Sequence, residues 1–104
     1  MADEFPPALV DLQRRVHAAW DAVEAHRKGV DAARRAEVEP TTDPTRRWES
    51  PALRPWTADE EAEHARLQGE ATTAAGVLRQ AFTAAGLGHG HDVVQGLHKA
   101  ARAA

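Results

Sequence analysis

Apolar residues recur with a helical period along the first third of the chain. One row, with members seven residues apart, is Leu9, Val16, Val23 and Val30. A second row with the same spacing is Leu12, Ala19, His26 and Ala33. Two such rows form the seam of a helix that packs lengthwise against another helix, and Trp20 beside them widens the apolar stripe as in a helical bundle. Because proline suits the first turn of a helix, Pro6 and Pro7 mark the start, and we predict a helix over residues 7–38.

A proline-rich segment interrupts this pattern. Its prolines are Pro40, Pro44, Pro51 and Pro55. Each proline disfavours helix at its own position and at the residue before it. Residues 39–56 are therefore predicted to form a non-helical linker. Its apolar residues, Trp48, Leu53 and Trp56, are predicted to lie against the helices.

The signals for a second helix begin directly after the linker. Thr57 and Glu60 have the spacing of a capping box, in which each side chain accepts a hydrogen bond from the other residue's backbone amide. Gly86 suits the left-handed conformation that ends a helix, with Leu87 placed to pack back on Phe82. We predict a helix over residues 58–85. Its apolar seam is His64, Leu67, Ala71, Ala74, Leu78, Ala81 and Ala85.

Another face of this second helix carries a ridge of small side chains. The small-residue ridge is Ala62, Ala65, Gly69, Thr72, Thr73 and Gly76. Each glycine inside a helix costs up to about 1 kcal/mol relative to alanine, a loss that close packing against a partner would offset. The other interpretation is that alanine and glycine are simply abundant in this chain.

A shorter helix is predicted near the C-terminus, over residues 92–103. Asp92 and Gln95 provide cap residues, while Lys99 and Arg102 fall in the last turns, where positive charge is favoured. Gly96 weakens this helix, so we expect it to need docking. The predicted fold class is all-α: a long antiparallel helical hairpin with a proline-rich linker and a short C-terminal third helix, in one domain of residues 1–104.

The composition predicts a thin core for this fold. Leu, Ile, Val and Phe make up about 16% of the 104 residues, below the roughly 20% that often separates folded from disordered chains. The net charge of only −3 and the periodic apolar residues favour a folded chain. Because a second copy would complete a thin core, we predict a homodimeric helical bundle.

Charge and composition also narrow the classes of partner and location. A net charge of −3 does not favour a protein that neutralises nucleic-acid phosphates. No apolar run approaches the ~20 residues of a membrane span, and the opening Met1-Ala2-Asp3-Glu4 is acidic where a secretory signal is basic. We therefore expect a cytoplasmic protein with no nucleic-acid or membrane partner. Without cysteine, the chain has no disulfide, thiolate metal site or cysteine nucleophile.

Few residues are candidates for catalysis or metal binding. Ser50 is the only serine, and no Gly-x-Ser-x-Gly sequence surrounds it, which argues against a serine hydrolase. Glu61 and His64 have the spacing used by bundle proteins that bind paired iron or manganese. A second histidine group near the C-terminus is His89, His91 and His98. A metal-binding bundle is therefore the alternative function, while the preferred prediction is a non-enzymatic protein without a cofactor.

His26 occupies a seam position where an apolar residue would be usual. A hairpin that folds symmetrically about the linker would place Glu70 near His26. The favoured interpretation is a polar seam residue that fixes the register through a hydrogen bond, ahead of a pH switch or a ligand.

The chain begins with a segment that is similar to known sequences. It reads Phe5-Pro6-Pro7-Ala8-Leu9-Val10-Asp11-Leu12-Gln13-Arg14-Arg15, followed by Trp20. This segment resembles the start of short uncharacterised helical proteins from high-GC actinobacteria such as streptomycetes, a resemblance that implies no activity. Length and hairpin shape also resemble the small secreted helical hairpins with a Trp-x-Gly turn, which act as dimers. The candidate turn here, Trp48-Glu49-Ser50, lacks the glycine, and the chain has no tyrosine.

The predicted function is a non-enzymatic helical protein–protein interaction module that forms a homodimer and can present a surface to another protein. The alternatives are the metal-binding bundle and the small secreted hairpin. The residues predicted to form the core seam or the dimer contact are Leu9, Leu12, Val16, Trp20, Val23, His26, Val30, Leu67, Gly69, Gly76, Leu78 and Phe82.

Overall fold

Three α-helices make up the described part of the chain. The computed structural model describes residues 5–38, 52–86 and 90–103. The helices are α1 (Pro7–Ala36), α2 (Ala58–Ala85) and α3 (His91–Ala103), and these described residues contain no strand. The all-α prediction is confirmed. None of the three helices is both long and apolar enough to cross a membrane.

α1 starts where the paired prolines predict, but it ends two residues before position 38. The Glu37 N–H donates to the Ala33 carbonyl at 3.1 Å, and the Val38 N–H donates to the Arg35 carbonyl at 3.2 Å. The hydrogen bond of Glu37 spans four residues and that of Val38 spans three. This change tightens the last turn and takes Val38 out of the helix. Helices commonly satisfy their last carbonyls in this way.

α2 has the ends that its sequence predicts. Thr57 Oγ1 accepts a hydrogen bond from the Glu60 N–H at 3.1 Å, and Glu60 Oε1 accepts one from the Thr57 N–H at 2.8 Å. These two bonds complete the capping box. At the other end, Gly86 has a φ of +69°, which glycine adopts without steric cost. The predicted packing of Leu87 on Phe82 lies outside the described residues.

α3 begins at His91, one residue before the predicted start. The Gly90 carbonyl accepts a hydrogen bond from the Val94 N–H at 3.1 Å, so Asp92 lies in the first turn and is not the cap. Gly96 marks a close approach to the N-terminal segment, because a Cβ there would lie 3.1 and 3.2 Å from two ring atoms of Phe5. That contact accounts for a helix-weakening residue in the middle of α3.

α1 and α2 pack lengthwise as an antiparallel hairpin. Leu9 near the start of α1 clusters with Phe82 near the end of α2, and the ring centroid of His26 lies 5.9 Å from that of His64. The backbone of α3 approaches α1 but not α2. The backbone of the third helix therefore docks on α1, while its Leu97 side chain clusters with both Leu9 of α1 and Phe82 of α2.

The core is thin, as the composition predicts. The buried hydrophobic residues of the described part are Leu9, Val16, Val23, Val30, Ala71, Phe82, Leu97 and Ala101. The radius of gyration is 20.2 Å, whereas a compact domain of this length has a radius of gyration of about 13 Å. The principal extents are 64, 28 and 21 Å. An elongated arrangement of this kind leaves a large part of each helix surface facing solvent.

Candidate functional site

The predicted interaction residues of α1 divide into one buried row and a half-exposed remainder. Each member of the first row is less than a tenth exposed: Leu9, Val16, Val23 and Val30. Leu12 and His26 of the second row are only half-buried, Ala33 is exposed, and Trp20 is 45% exposed. Within this chain the second row is therefore less buried than the first, and whether its exposed members form a dimer contact stays a prediction. α2 covers the first row, and the second row lies at the edge of that contact.

Gln13 is a buried residue that the heptad pattern does not reveal. It is 3% exposed, one position beyond the predicted second row. α3 docks on α1, and Gln13 and the α3 residues Val94 and Leu97 line the same cavity. Leu78 and Phe82 of α2 line it too, so Gln13 lies where all three helices meet. Only a prediction of where α3 packs would have singled out this residue.

The predicted interaction residues of α2 are spread over two faces of the helix. Phe82 is buried, while Leu67 and Leu78 are half-buried on the face towards α1. Gly69 is exposed and Gly76 is half-buried, and a Cβ added at either glycine would meet no other group within 4 Å. The described residues therefore make no close contact at these two glycines.

The small-residue ridge of α2 lies outside the contact with α1. Five of its six members are exposed: Ala62, Ala65, Gly69, Thr72 and Thr73. Val77, which follows Gly76 directly, is 46% exposed and is one of two large hydrophobic residues at the described surface, with Trp20. The ridge is thus an uncovered face of small and apolar side chains on a long helix.

Three aromatic rings meet where the end of the linker crosses the hairpin. The Trp56 ring centroid lies 5.7 Å from that of His26 and 5.2 Å from that of His64, each in an edge-on arrangement. The Nδ1 atoms of His26 and His64 are buried and have no hydrogen-bond partner among the described residues. The predicted packing of Trp56 and Leu53 against the helices agrees with their half-buried side chains, while Trp48 lies outside the described residues.

The predicted contact between His26 and Glu70 is wrong. His26 faces His64, and the Glu70 carboxylate instead accepts a hydrogen bond from Arg66 Nη1 at 2.7 Å. The two helices are offset along their axes relative to a hairpin symmetrical about the linker. A heptad seam tolerates such an offset, because the same apolar pattern recurs at every turn of the repeat.

Arg54 ties the end of the linker to both long helices. Its Nε donates to Glu37 Oε2 at 2.6 Å, and its Nη1 and Nη2 donate to the two carboxylate oxygens of Glu60 at 2.7 and 3.1 Å. The Arg34 side chain in turn donates to the Arg54 carbonyl. The bidentate geometry with Glu60 suits the planar guanidinium. In the sequence, nothing distinguishes Arg54 from a solvated cation of the linker.

The same contacts control the acidity of Glu60. The hydrogen bond from Arg54, followed by that from the Thr57 amide, lowers the pKa of Glu60 to about 2. These hydrogen bonds stabilise the charged form of the carboxyl group. Glu60 therefore combines the capping box of α2 with the attachment of the linker.

A histidine pair links α1 to α3. His17 Nε2 and His98 Nδ1 are 2.9 Å apart, and the rings are partly buried. One ring must donate and the other accept, so the bond requires at least one neutral imidazole. Burial, with a smaller effect of His17 and Arg102, lowers the pKa of His98. The predicted cluster of His98 with His89 and His91 is not described, because His89 and the side chain of His91 lie outside the described residues.

The structure places the candidate metal ligands apart from one another. Glu61 is exposed on α2, whereas His64 points into the hairpin beside His26 and Trp56. Over residues 5–38, 52–86 and 90–103, no three His, Asp or Glu side chains come together in an arrangement that could hold a metal ion. Ser50, the one candidate for nucleophilic chemistry, lies outside these ranges.

The function of this chain must be inferred from the surfaces and contacts of the described residues. No protein-family model, curated protein or solved structure matches it.

Proposed function

We propose that this protein is a non-enzymatic helical interaction module whose partner is a second copy of itself. The observation that carries the proposal is the uncovered small-residue ridge of α2. Helices with small side chains at their contact can approach closely, which increases the packing of the backbones and flanking side chains. The ridge therefore suits another helix better than it suits solvent.

The two ridge glycines support this proposal on energetic grounds. Gly69 and Gly76 lie seven residues apart, so they fall on the same face of α2, and a Cβ at either one would meet no other group of the described residues within 4 Å. Each costs α2 up to about 1 kcal/mol relative to alanine. Among the described residues, no contact at either glycine offsets that cost. A close contact between two copies would do so.

The amount of exposed surface supports the same conclusion. The accessible surface is 7694 Å², whereas a compact monomer of 11.3 kDa exposes about 5,700 Å². The excess of roughly 2,000 Å² is larger than the ~800 Å² that each partner contributes to a standard interface. Pairing through the ridge, with Val77 beside it, would remove part of this excess from water.

Light scattering at micromolar concentration tests the proposal directly. A mass near twice the 11.3 kDa of the chain is expected, with a melting temperature that rises with protein concentration. A mass equal to that of one chain, together with cooperative unfolding, would show that the monomer is sufficient and that the proposal is wrong.

A matched pair of variants locates the contact. Ala65→Lys places a charge on the ridge, four residues after Glu61, and Ala25→Lys places the same charge on the exposed face of α1, four residues after Asp21. Each new lysine can pair with the acidic residue four positions before it, so both substitutions add a favourable charge pair within their helix. Ala65→Lys is expected to weaken dimerisation by about tenfold or more, because the charge would be buried. Equal dimerisation of the two variants would exclude the ridge as the contact.

A further inference from the structure

An apolar cavity of about 240 Å³ lies between the three helices. Gln13 and Val16 of α1 contribute to its lining, together with Leu78 and Phe82 of α2 and Val94 and His98 of α3. It exists because α3 docks on α1 without its backbone approaching α2. The space lies beside the cluster of Leu97 with Leu9 and Phe82, to which all three helices contribute.

We infer that this cavity binds a small, uncharged, mainly apolar molecule that carries one hydrogen-bonding group. An apolar cavity of about 150 Å³ is enough to hold benzene. A volume of 240 Å³ therefore has room for a molecule the size of a bicyclic aromatic. Binding pockets of this type combine an apolar lining with a few polar groups that fix orientation.

Gln13 provides the polar group. Its side chain is 3% exposed and lines the cavity. The amide is not among the fully buried polar atoms that lack a hydrogen-bond partner, so we take it to be in contact with water, and a ligand group can replace that water. A ligand hydroxyl or carbonyl that hydrogen-bonds the Gln13 amide would account for the glutamine.

His98 sets the charge that the cavity accepts. Its Nδ1 is engaged with His17 Nε2 at 2.9 Å, and burial lowers the pKa of its imidazole. The ring is therefore neutral at pH 7, and the described residues of the lining include no Asp, Glu, Lys or Arg. A charged ligand would lose its hydration without gaining a counter-ion, so the cavity favours an uncharged one.

Binding of 2-naphthol and naphthalene tests the inference. These probes share the bicyclic ring, and only 2-naphthol has a hydroxyl group. Fluorescence of 2-naphthol, excited beyond the tryptophan absorption, and ligand-observed NMR for naphthalene give the two dissociation constants. We expect saturable binding of both probes to one site, with 2-naphthol the tighter by about fivefold for one hydrogen bond.

Two matched substitutions place the probes in the cavity. Val94→Phe fills the cavity, whereas Val77→Phe makes the same change at a half-exposed position that does not line it. Val94→Phe is expected to lower the affinity for both probes by about tenfold or more, and Val77→Phe is expected to leave both affinities unchanged. Circular dichroism verifies that each variant is folded, and Leu78→Phe provides a second filling variant. In Gln13→Met, the preference for 2-naphthol over naphthalene should disappear while naphthalene still binds.

Three outcomes would overturn the inference. The first is no saturable binding of either probe, and the second is equal binding by Val94→Phe and Val77→Phe. The third is a loss of probe affinity at the protein concentrations at which the dimer forms. That result would show that a side chain of a second copy fills the cavity. The inference does not depend on the proposed function, because a monomeric protein would still bind the probes.

Discussion

Leu97 is the residue whose truncation should separate the docking of α3 from the stability of the hairpin. Its side chain is 1% exposed and is the largest fully buried one among the described residues. It clusters with Leu9 of α1 and Phe82 of α2. Leu97→Ala is therefore expected to weaken the attachment of α3 more than any change at the exposed surface.

The expected loss follows from the three carbons that the substitution removes. At about 0.8 kcal/mol for each buried methylene, the transfer free energy alone is about 2.4 kcal/mol. The cavity left behind can raise the cost of a buried Leu→Ala change to about 5 kcal/mol. Leu97 lines the cavity between the helices, which water can enter from solvent, so the added cost should be small. We expect a loss of about 2.5 to 3 kcal/mol.

Amide hydrogen exchange distinguishes local from global loss. Because the backbone of α3 approaches only α1, exchange in α3 should accelerate by about a hundredfold, while amides around Val23 and His64 should change much less. Val77→Ala provides a control at a position that is 46% exposed, with an expected effect below about 0.5 kcal/mol. Equal acceleration in all three helices, or no acceleration in α3, would refute this account of α3 docking.

Four further predictions concern the free energy of unfolding and its dependence on pH. Gly86→Val should lower the free energy of unfolding by about 2 kcal/mol, because a β-branched residue resists a φ of +69°. An unchanged melting temperature would mean that α2 does not end at Gly86. Gly29→Ala should raise the free energy of unfolding, measured by urea titration, by up to about 1 kcal/mol, because a Cβ at this position would meet none of the described residues within 4 Å. A lower free energy of unfolding would contradict the open surface at Gly29. The pKa of Glu60 is about 2 in the folded state, against an ordinary value of 4.5, so the stability that its charged form provides is present above pH 4.5 and is lost as the pH falls towards 2. Glu60→Gln should remove that part of the acid sensitivity. An unchanged dependence of the free energy of unfolding on pH in this variant would contradict the prediction. The lowered pKa of His98 means that the folded state resists its protonation, so stability should decline as the pH falls below 6.5; an NMR titration midpoint of His98 at or above 6.5 would contradict this.

The candidate interaction site was only partly accessible to prediction. The first heptad row of α1 is buried as its spacing indicates, since periodicity reports which face of a helix meets a neighbour. Trp20 fits the same stripe but is 45% exposed, because periodicity does not report how wide the contact is. Gln13 and the His17–His98 pair depend on the docking of α3, which joins positions 81 residues apart in the histidine pair. Patterns within one helix contain no information on such a contact.

The sequence by itself determined the helices and the start and end of α2. The capping box at Thr57 and the left-handed Gly86 act through backbone hydrogen bonds within a few residues, so they operate before any helix meets another. The tertiary structure alone decided how the helices are placed. His26 faces His64 and not Glu70, because the heptad pattern repeats along the axis and leaves the offset to contacts such as those of Trp56 and Arg54. The position of α3, and with it the cavity beside Gln13, follows from long-range packing of Leu97 and Phe5 that no local pattern specifies.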